Sequence, residues 1–153
     1  MKDNKNNQLK IIISTLINEL KIVSNEYTVY SKKLPLQTGF SFCAKNFNKK
    51  DLALAFYQYA SHLATSVSKM ESALSGLSQI ILYADKNDLR DSVMFCDEIL
   101  TQYGEFKKSV SLFTSQNELL LSKDDTTPSE MIKILSEFGY KLKYFNSFLQ
   151  KNL

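Results

Sequence analysis

The sequence predicts an all-α protein, an elongated antiparallel helical bundle or coiled coil of three to four long helices. Apolar residues recur at alternating steps of four and three along most of the chain, which places them on one edge of a helix. Only four glycines and two prolines occur in 153 residues, too few for the many turns of a β fold. At 44% hydrophobic and 23% charged, the chain can also form a core of its own.

The first helix is predicted from an apolar series that ends just before Pro35. The Asn- and Lys-rich residues 1–7 precede this series, so we expect a flexible tail at 1–7 and a single helical-bundle domain over 8–153. Pro35 disfavours helical backbone at the residue before it and lacks a backbone donor, so the helix should end or kink there. The series is Leu9, Ile13, Leu16, Leu20, Val23, Tyr27, Tyr30 and Leu34.

The second helix follows an ambiguous stretch and carries the longest apolar seam. Residues 35–47 mix turn formers with helically spaced apolar residues, and we expect a kink followed by a helical turn or two. Asn48 can cap the next helix, with Asp51 three positions later. A helix of roughly 33 residues is about 50 Å long, which predicts a rod-shaped molecule. The seam is Leu52, Phe56, Ala60, Leu63, Val67, Met70, Leu74, Leu77 and Ile81.

Two further helices are predicted after residue 84. Residues 85–88, Asp-Lys-Asn-Asp, form a polar turn that predicts a tight antiparallel reversal. The third helix then carries a seam from Leu89 to Phe113, followed by a polar Asn117. Thr127, Pro128 and Glu130 predict the start of the last helix through a capping box with proline at the first helical position. Its seam is Met131, Leu135, Phe138, Leu142, Phe145 and Leu149, with Gly139 as the weak point.

The residues that carry enzyme chemistry are scarce and scattered. His62 is the only histidine, and we interpret it as a structural or surface residue. Cys43 and Cys96 are too far apart in sequence, and too few, to complete a zinc site, and we interpret both as reduced, small core residues. No phosphate-binding loop or nucleophile elbow occurs. We therefore expect a non-enzyme with no cofactor, no metal and no small-molecule substrate.

The charged and aromatic residues bear on possible partners. A net charge of +3 is too mild to predict nucleic-acid binding. The eight tyrosines and ten phenylalanines fall mostly at core spacing, and Tyr57, Tyr83 and Tyr144 are the ones expected to face outward. Three adjacent lysine pairs are the candidates for contact with a partner or an anionic surface, with a solvated helix face as the other interpretation. They are Lys32 and Lys33, Lys49 and Lys50, and Lys107 and Lys108.

Two stretches between residues 30 and 116 share a pattern with a known family. In residues 31–47 a basic pair precedes a short apolar run that ends in FCAKNF, and in residues 89–113 an Asp opens an apolar run followed by an acidic-Leu-x-x-Tyr pattern. Together they resemble the first part of a BAR domain of the sorting-nexin kind. The resemblance implies an antiparallel homodimer of long curved helices whose basic side chains contact anionic, curved membrane. The second stretch rests on Asp91, Glu98, Leu100 and Tyr103.

Two functions follow as expectations. The first is a non-enzymatic interaction or scaffold protein that binds a protein partner or itself, because apolar residues such as 80–82 and 119–121 exceed what one seam can bury. The second is a BAR-like dimer that binds anionic membranes peripherally. In both, the absence of a signal peptide and of a run of about 20 apolar residues predicts a cytoplasmic protein, on membranes only peripherally.

Overall fold

A computed structural model describes residues 2–34, 49–82 and 89–152. In these residues the chain forms helices and no strand, which confirms the all-α prediction. The longest helix has 34 residues and is therefore about 50 Å long. The helical segments are α1 (Lys2–Ser31), α2 (Lys49–Leu74), α3 (Gly76–Leu82), α4 (Leu89–Ser122) and α5 (Pro128–Lys151).

The helices pack as an antiparallel bundle within one chain. Helix α1 packs on α2, α2 on α4, α4 on α5, and α5 back on α1. Helix α1 is antiparallel to the α2–α3 segment because Tyr59 of α2 contacts Val23 whereas Gly76, which begins α3, lies against the earlier Ile12. An up-down-up-down bundle follows, in which α1 folds back onto α2 in the same chain.

Helix α1 follows its predicted seam closely. Ile13, Leu16, Leu20 and Val23 are buried. The helix begins at Lys2, earlier than the expected domain start at residue 8. It ends at Ser31, and a turn precedes the buried residue 34. The kink predicted in residues 35–47 and the cap predicted at Asn48 lie outside the described residues.

The second seam differs from the prediction in two respects. A turn at Ser75 divides the expected single helix into α2 and α3. Hydroxyl groups of Ser75 and Ser78 donate to backbone carbonyls three residues earlier, which competes with regular helical bonding. A Cβ at Gly76 would lie 3.1 Å from Ile12 Cδ1, so glycine permits α1 to approach at this break.

At three positions of α2 and α3, the buried residue comes one position before the residue that the seam predicted. Tyr59, Ser66 and Ile80 are buried, and the predicted seam members Ala60, Val67 and Ile81 are only partly buried. A straight helix repeats every 3.6 residues rather than 3.5, and each predicted position is adjacent to the one that is buried. The larger ring of Tyr59 therefore takes the core position that the heptad assigned to Ala60.

Helices α4 and α5 confirm the later predictions. The six predicted seam residues of α5 are all buried. Its capping box is present, with the Thr127 amide donating to Glu130 Oε2 at 3.0 Å and the Glu130 amide donating to Thr127 Oγ1 at 3.4 Å. In α4, Cys96 and Phe113 are buried. The predicted reversal at 85–88 and Cys43 lie outside the described residues.

Aromatic rings form the centre of the core. The rings of Phe113 and Phe138 stack at 4.7 Å, Tyr30 and Tyr59 stack at 5.5 Å, and Tyr59 meets Phe113 edge-on at 5.8 Å. Each such pair adds about 0.5–1.5 kcal/mol beyond its burial. Core filling, rather than base stacking, is thus the role of these rings, as the sequence predicts.

Polar atoms in this aromatic layer have partners. Tyr59 donates to the Val23 carbonyl at 3.1 Å, and Tyr30 donates to Asn117 Oδ1 at 3.5 Å. The Asn117 amide in turn donates to the Phe113 carbonyl at 2.7 Å. Burial raises the pKa of both tyrosines well above the usual value, so they stay neutral and hydrogen-bonded inside the bundle.

Candidate protein-contact groove

Four of the six candidate lysines lie near one end of the bundle. Lys32 and Lys33 follow α1 directly and line a shallow hollow of about 450 Å³ with the first turns of α2. Lys49 and Lys50 begin α2 itself. Asp51 lines the same hollow, so this end carries both signs of charge.

The third lysine pair lies elsewhere and is engaged in ion pairs. Lys107 Nζ is 2.5 Å from Glu71 Oε1, and Tyr103 donates to the same oxygen at 2.9 Å. Hydrogen bonds from Lys107 and then Tyr103 lower the pKa of Glu71. Glu71 is 21 residues after Lys50, about 30 Å along α2. The six lysines therefore do not converge on one surface.

A groove between α4 and α5 is a concave and mostly apolar surface among the described residues. Its volume is about 520 Å³, in the range of clefts that bind small ligands. Leu112 is 52% exposed and Tyr140 is 82% exposed, so two large apolar side chains face solvent here. The apolar lining is Leu112, Phe113, Ile134, Phe138 and Tyr140, and the charged rim is Glu105, Lys108, Glu137 and Lys141.

The local sequence explains why the groove stays open. Phe113 and Phe138 point inward and hold α4 and α5 together. The groove is also lined by Ser109 and Ser136, whose short side chains fill little of the space between the helices. Ser109 Oγ donates to the Phe106 carbonyl at 2.6 Å, so its polar atom is satisfied within α4 and leaves the groove apolar.

The opposite side of α5 is closed. Tyr27 of α1 lies over Gly139 and donates its hydroxyl to the Leu135 carbonyl at 2.9 Å. A Cβ at position 139 would lie 2.7 Å from Tyr27 Cζ, closer than side-chain carbons approach. The glycine that weakens the α5 pattern in sequence is therefore the residue that admits Tyr27.

The other reactive side chains stand apart from the groove. His62 is exposed, and its Nδ1 is 2.8 Å from Glu26 Oε2, which fits the surface role predicted for it. Cys96 is a buried free thiol, and burial raises its pKa. Within residues 2–34, 49–82 and 89–152, no group of three or more His, Cys, Asp or Glu side chains is placed to hold a metal ion. In the same residues no helix combines the length and apolar character needed to cross a membrane.

Comparisons of the chain with protein-family models, curated proteins and solved structures gave no match. The candidate site therefore rests on geometry and chemistry alone.

Sequence reasoning missed the groove, and the surplus apolar residues that it singled out are not part of the groove lining. Of the surplus apolar residues expected at 80–82 and 119–121, Leu82 and Leu119 are largely exposed and the other four are buried or partly buried. Tyr57 and Tyr144 face outward as predicted, and Tyr83 lies outside the described residues. One available signal was the seven-residue spacing of Leu112 and Leu119, which places an apolar stripe on the outer face of α4.

Proposed function

We propose that this protein is a non-enzymatic interaction module that binds other polypeptides through the α4–α5 groove. The observation that carries the proposal is the apolar groove itself, with Leu112 and Tyr140 exposed in it and four charged residues around it. An apolar centre with a charged rim is the usual composition of a protein contact surface. An amphipathic helix, with its apolar residues every three or four positions, fits a groove of this shape.

The size of the groove predicts a reversible complex. Fully burying a large apolar side chain contributes about 1.5–3 kcal/mol, and association costs at least about 4 kcal/mol before any net affinity appears. Leu112, Ile134 and Tyr140 together supply only a modest surplus over that cost. Contacts along the charged rim then contribute mainly to specificity and to the rate of association.

Site-specific photo-cross-linking tests this proposal. A photo-reactive phenylalanine replaces Leu112 in one variant and Tyr140 in another, and the cross-linked peptides are sequenced after irradiation in the native cell. Both positions should capture the same partner segment, and its sequence should have helical apolar spacing. The matched control places the same group at Tyr57, which is 53% exposed on α2. Capture of the same segment from Tyr57, or of none from the groove, would contradict the proposal.

A second candidate function is supported by the lysines at the end of the bundle. Lys32 and Lys33 share one hollow beside the start of α2, where Lys49 and Lys50 lie. This is the anionic-membrane contact that the BAR resemblance implies. Each lysine near an anionic surface adds about 1 kcal/mol of attraction, so four could support peripheral binding.

Sedimentation with phosphatidylserine vesicles separates this second candidate from the first. Charge reversal at Lys32 and Lys33 should abolish sedimentation with the vesicles. Reversal at Lys133 and Lys143, which are exposed on α5, is the matched control and should leave it unchanged. If the wild-type protein does not sediment, or if both double variants behave alike, the membrane function is excluded.

A further inference from the structure

We propose that a second copy of this chain covers the α4–α5 groove with its own α4–α5 face, antiparallel to the first, around a two-fold axis beside Leu112 and Tyr140. The inference rests on the proposed role of the groove as a contact surface and names its partner. An interface of this kind is isologous, because the same patch is used by both copies.

The stacking of α4 on α5 sets the levels of the groove residues along the bundle. Phe113 stacks on Phe138 at 4.7 Å and the earlier Phe106 stacks on the later Phe145 at 5.2 Å, so the two helices are antiparallel. Leu112 therefore lies level with position 139 of α5. Glu137 and Lys141 lie two residues to either side of that level, about 3 Å along the axis in each direction.

The charged side chains of two antiparallel copies are complementary when the copies meet at the level of position 139. In an antiparallel pair centred at position 139, Glu137 of each copy lies opposite Lys141 of the other, so that two equivalent ion pairs form. Neither residue has an ion-pair partner within 4.0 Å in the described part of its own chain. The four rim residues, two Glu and two Lys, sum to zero charge, so the faces carry no net repulsion.

The same charges disfavour the parallel arrangement. With a two-fold axis along the helices, α4 of one copy would face α5 of the other at the same level. Lys141 is three residues beyond Phe138 and so lies level with position 110, two residues from Lys108. Lys141 would then lie close to Lys108 of the other copy at two equivalent places. Glu105 lies 3.7 Å from Lys108 but is five residues from the level of Lys141, so it offsets only part of the repulsion that opposes this orientation.

Exposed apolar side chains at the centre supply the attraction. Tyr140 is 82% exposed and Leu112 is 52% exposed, and both lie beside the axis. Tyrosine at the centre of an interface, enclosed by a polar rim, is the typical arrangement of residues that dominate binding. The rim ion pairs then select the antiparallel orientation.

Sedimentation equilibrium over a concentration series tests the inference. The wild-type chain should show a reversible monomer–dimer equilibrium. Glu137→Lys alone and Lys141→Glu alone should each weaken dimerisation at least tenfold, because each places like charges opposite one another. The double variant Glu137→Lys/Lys141→Glu should restore it. An equimolar mixture of the two single variants should form a heterodimer, since one chain is then basic at both positions and the other acidic.

Matched controls and opposing outcomes keep the inference distinct from the proposed function. Glu118→Lys and Lys143→Glu change charge at exposed positions of α4 and α5 outside the groove, and should leave the dimer unchanged. Circular dichroism of each variant establishes that it is folded. A wild-type chain that is monomeric throughout, or a dimer insensitive to both single reversals, would overturn the inference. If the chain is monomeric and position 112 cross-links to a different protein, the dimer inference is overturned but the proposed function stands.

Discussion

The two sides of α5 are packed in opposite ways. Toward α1, Tyr27 lies over Gly139 and donates to the Leu135 carbonyl at 2.9 Å. Toward α4, Leu112 and Tyr140 remain exposed around a groove of about 520 Å³. Small residues occur on both sides, but a neighbouring ring occupies the space only at Gly139.

This difference separates the residues that stabilise the bundle from the residues that are available to contact a partner. On the closed side a side chain from another helix removes water and satisfies its own hydroxyl group. On the open side the apolar surface is available to another polypeptide. Substitutions on the closed side and in the core should therefore unfold the bundle, whereas substitutions in the groove should change association and leave folding almost intact.

The largest contrast is expected between neighbouring rings of α5. Phe138→Ala removes a ring that stacks at 4.7 Å on Phe113 and should lower the free energy of unfolding by about 3–5 kcal/mol. Tyr140→Ala, at an 82% exposed position, should change it by less than about 0.5 kcal/mol. Urea unfolding followed by circular dichroism measures both. Equal losses would show that the open side also supports the fold.

The glycines provide the next contrast. Gly139→Ala forces Tyr27 to move and should cost about 1–3 kcal/mol of stability, the usual effect of overpacking. Gly104→Ala adds a Cβ that meets nothing within 4 Å, and within α4 it should stabilise by about 0.5–1 kcal/mol. Thermal unfolding should therefore shift in opposite directions. A stabilising Gly139→Ala would disprove the close α1–α5 contact.

Alkaline pH tests the closed core through its tyrosines. Burial raises the pKa of Tyr30 and Tyr59 above the value of 10.0 for an exposed tyrosine. Their contribution to stability is complete below pH 10 and is lost as pH rises beyond it, by about 1.4 kcal/mol per pH unit for each tyrosine. Tyr59→Phe removes one of these two groups, so the loss of stability per pH unit should become smaller by about 1.4 kcal/mol. Urea unfolding at several pH values between 9 and 11 would contradict the account if both proteins gave the same slope.

The smallest effect is expected at the exposed Glu71 network. Hydrogen bonds from Lys107 and Tyr103 lower the pKa of Glu71 below 4.5, so its contribution is present above that pH and is lost as pH falls through the lowered pKa. Glu71→Gln should be slightly less stable at neutral pH and should lose less on acidification. Thermal unfolding at pH 7 and pH 3 compares the two proteins. A difference between them that does not change with pH would exclude the ion pair as its cause.

Much of the fold was predictable because it depends on local pattern. Apolar spacing identified α1, α4 and α5, and the Thr127–Glu130 capping box identified the start of α5. The break at Ser75 was not predicted, because it depends on hydroxyl groups that bond backbone carbonyls and on the approach of Ile12 to Gly76.

The candidate site was less predictable because it depends on distance between helices. The lysine pairs were visible in sequence, but their separation along the bundle and the pairing of Lys107 with Glu71 were not. The roles of Gly139 and Ser109 likewise depend on which helix lies opposite. Spacing within one helix reports the buried edge, and only the assembled bundle shows whether a neighbour fills the space beside it.

Hydroxyl-radical footprinting most directly tests the division between the two sides of α5. In the dilute purified protein, oxidation should be fast at Tyr140 and slow at Tyr27. In the concentrated protein or the native cell, Tyr140 and Leu112 should become protected together while Tyr57 stays reactive. Equal oxidation of Tyr27 and Tyr140 at dilution, or protection that appears at Tyr57 and spares Tyr140, would contradict the account.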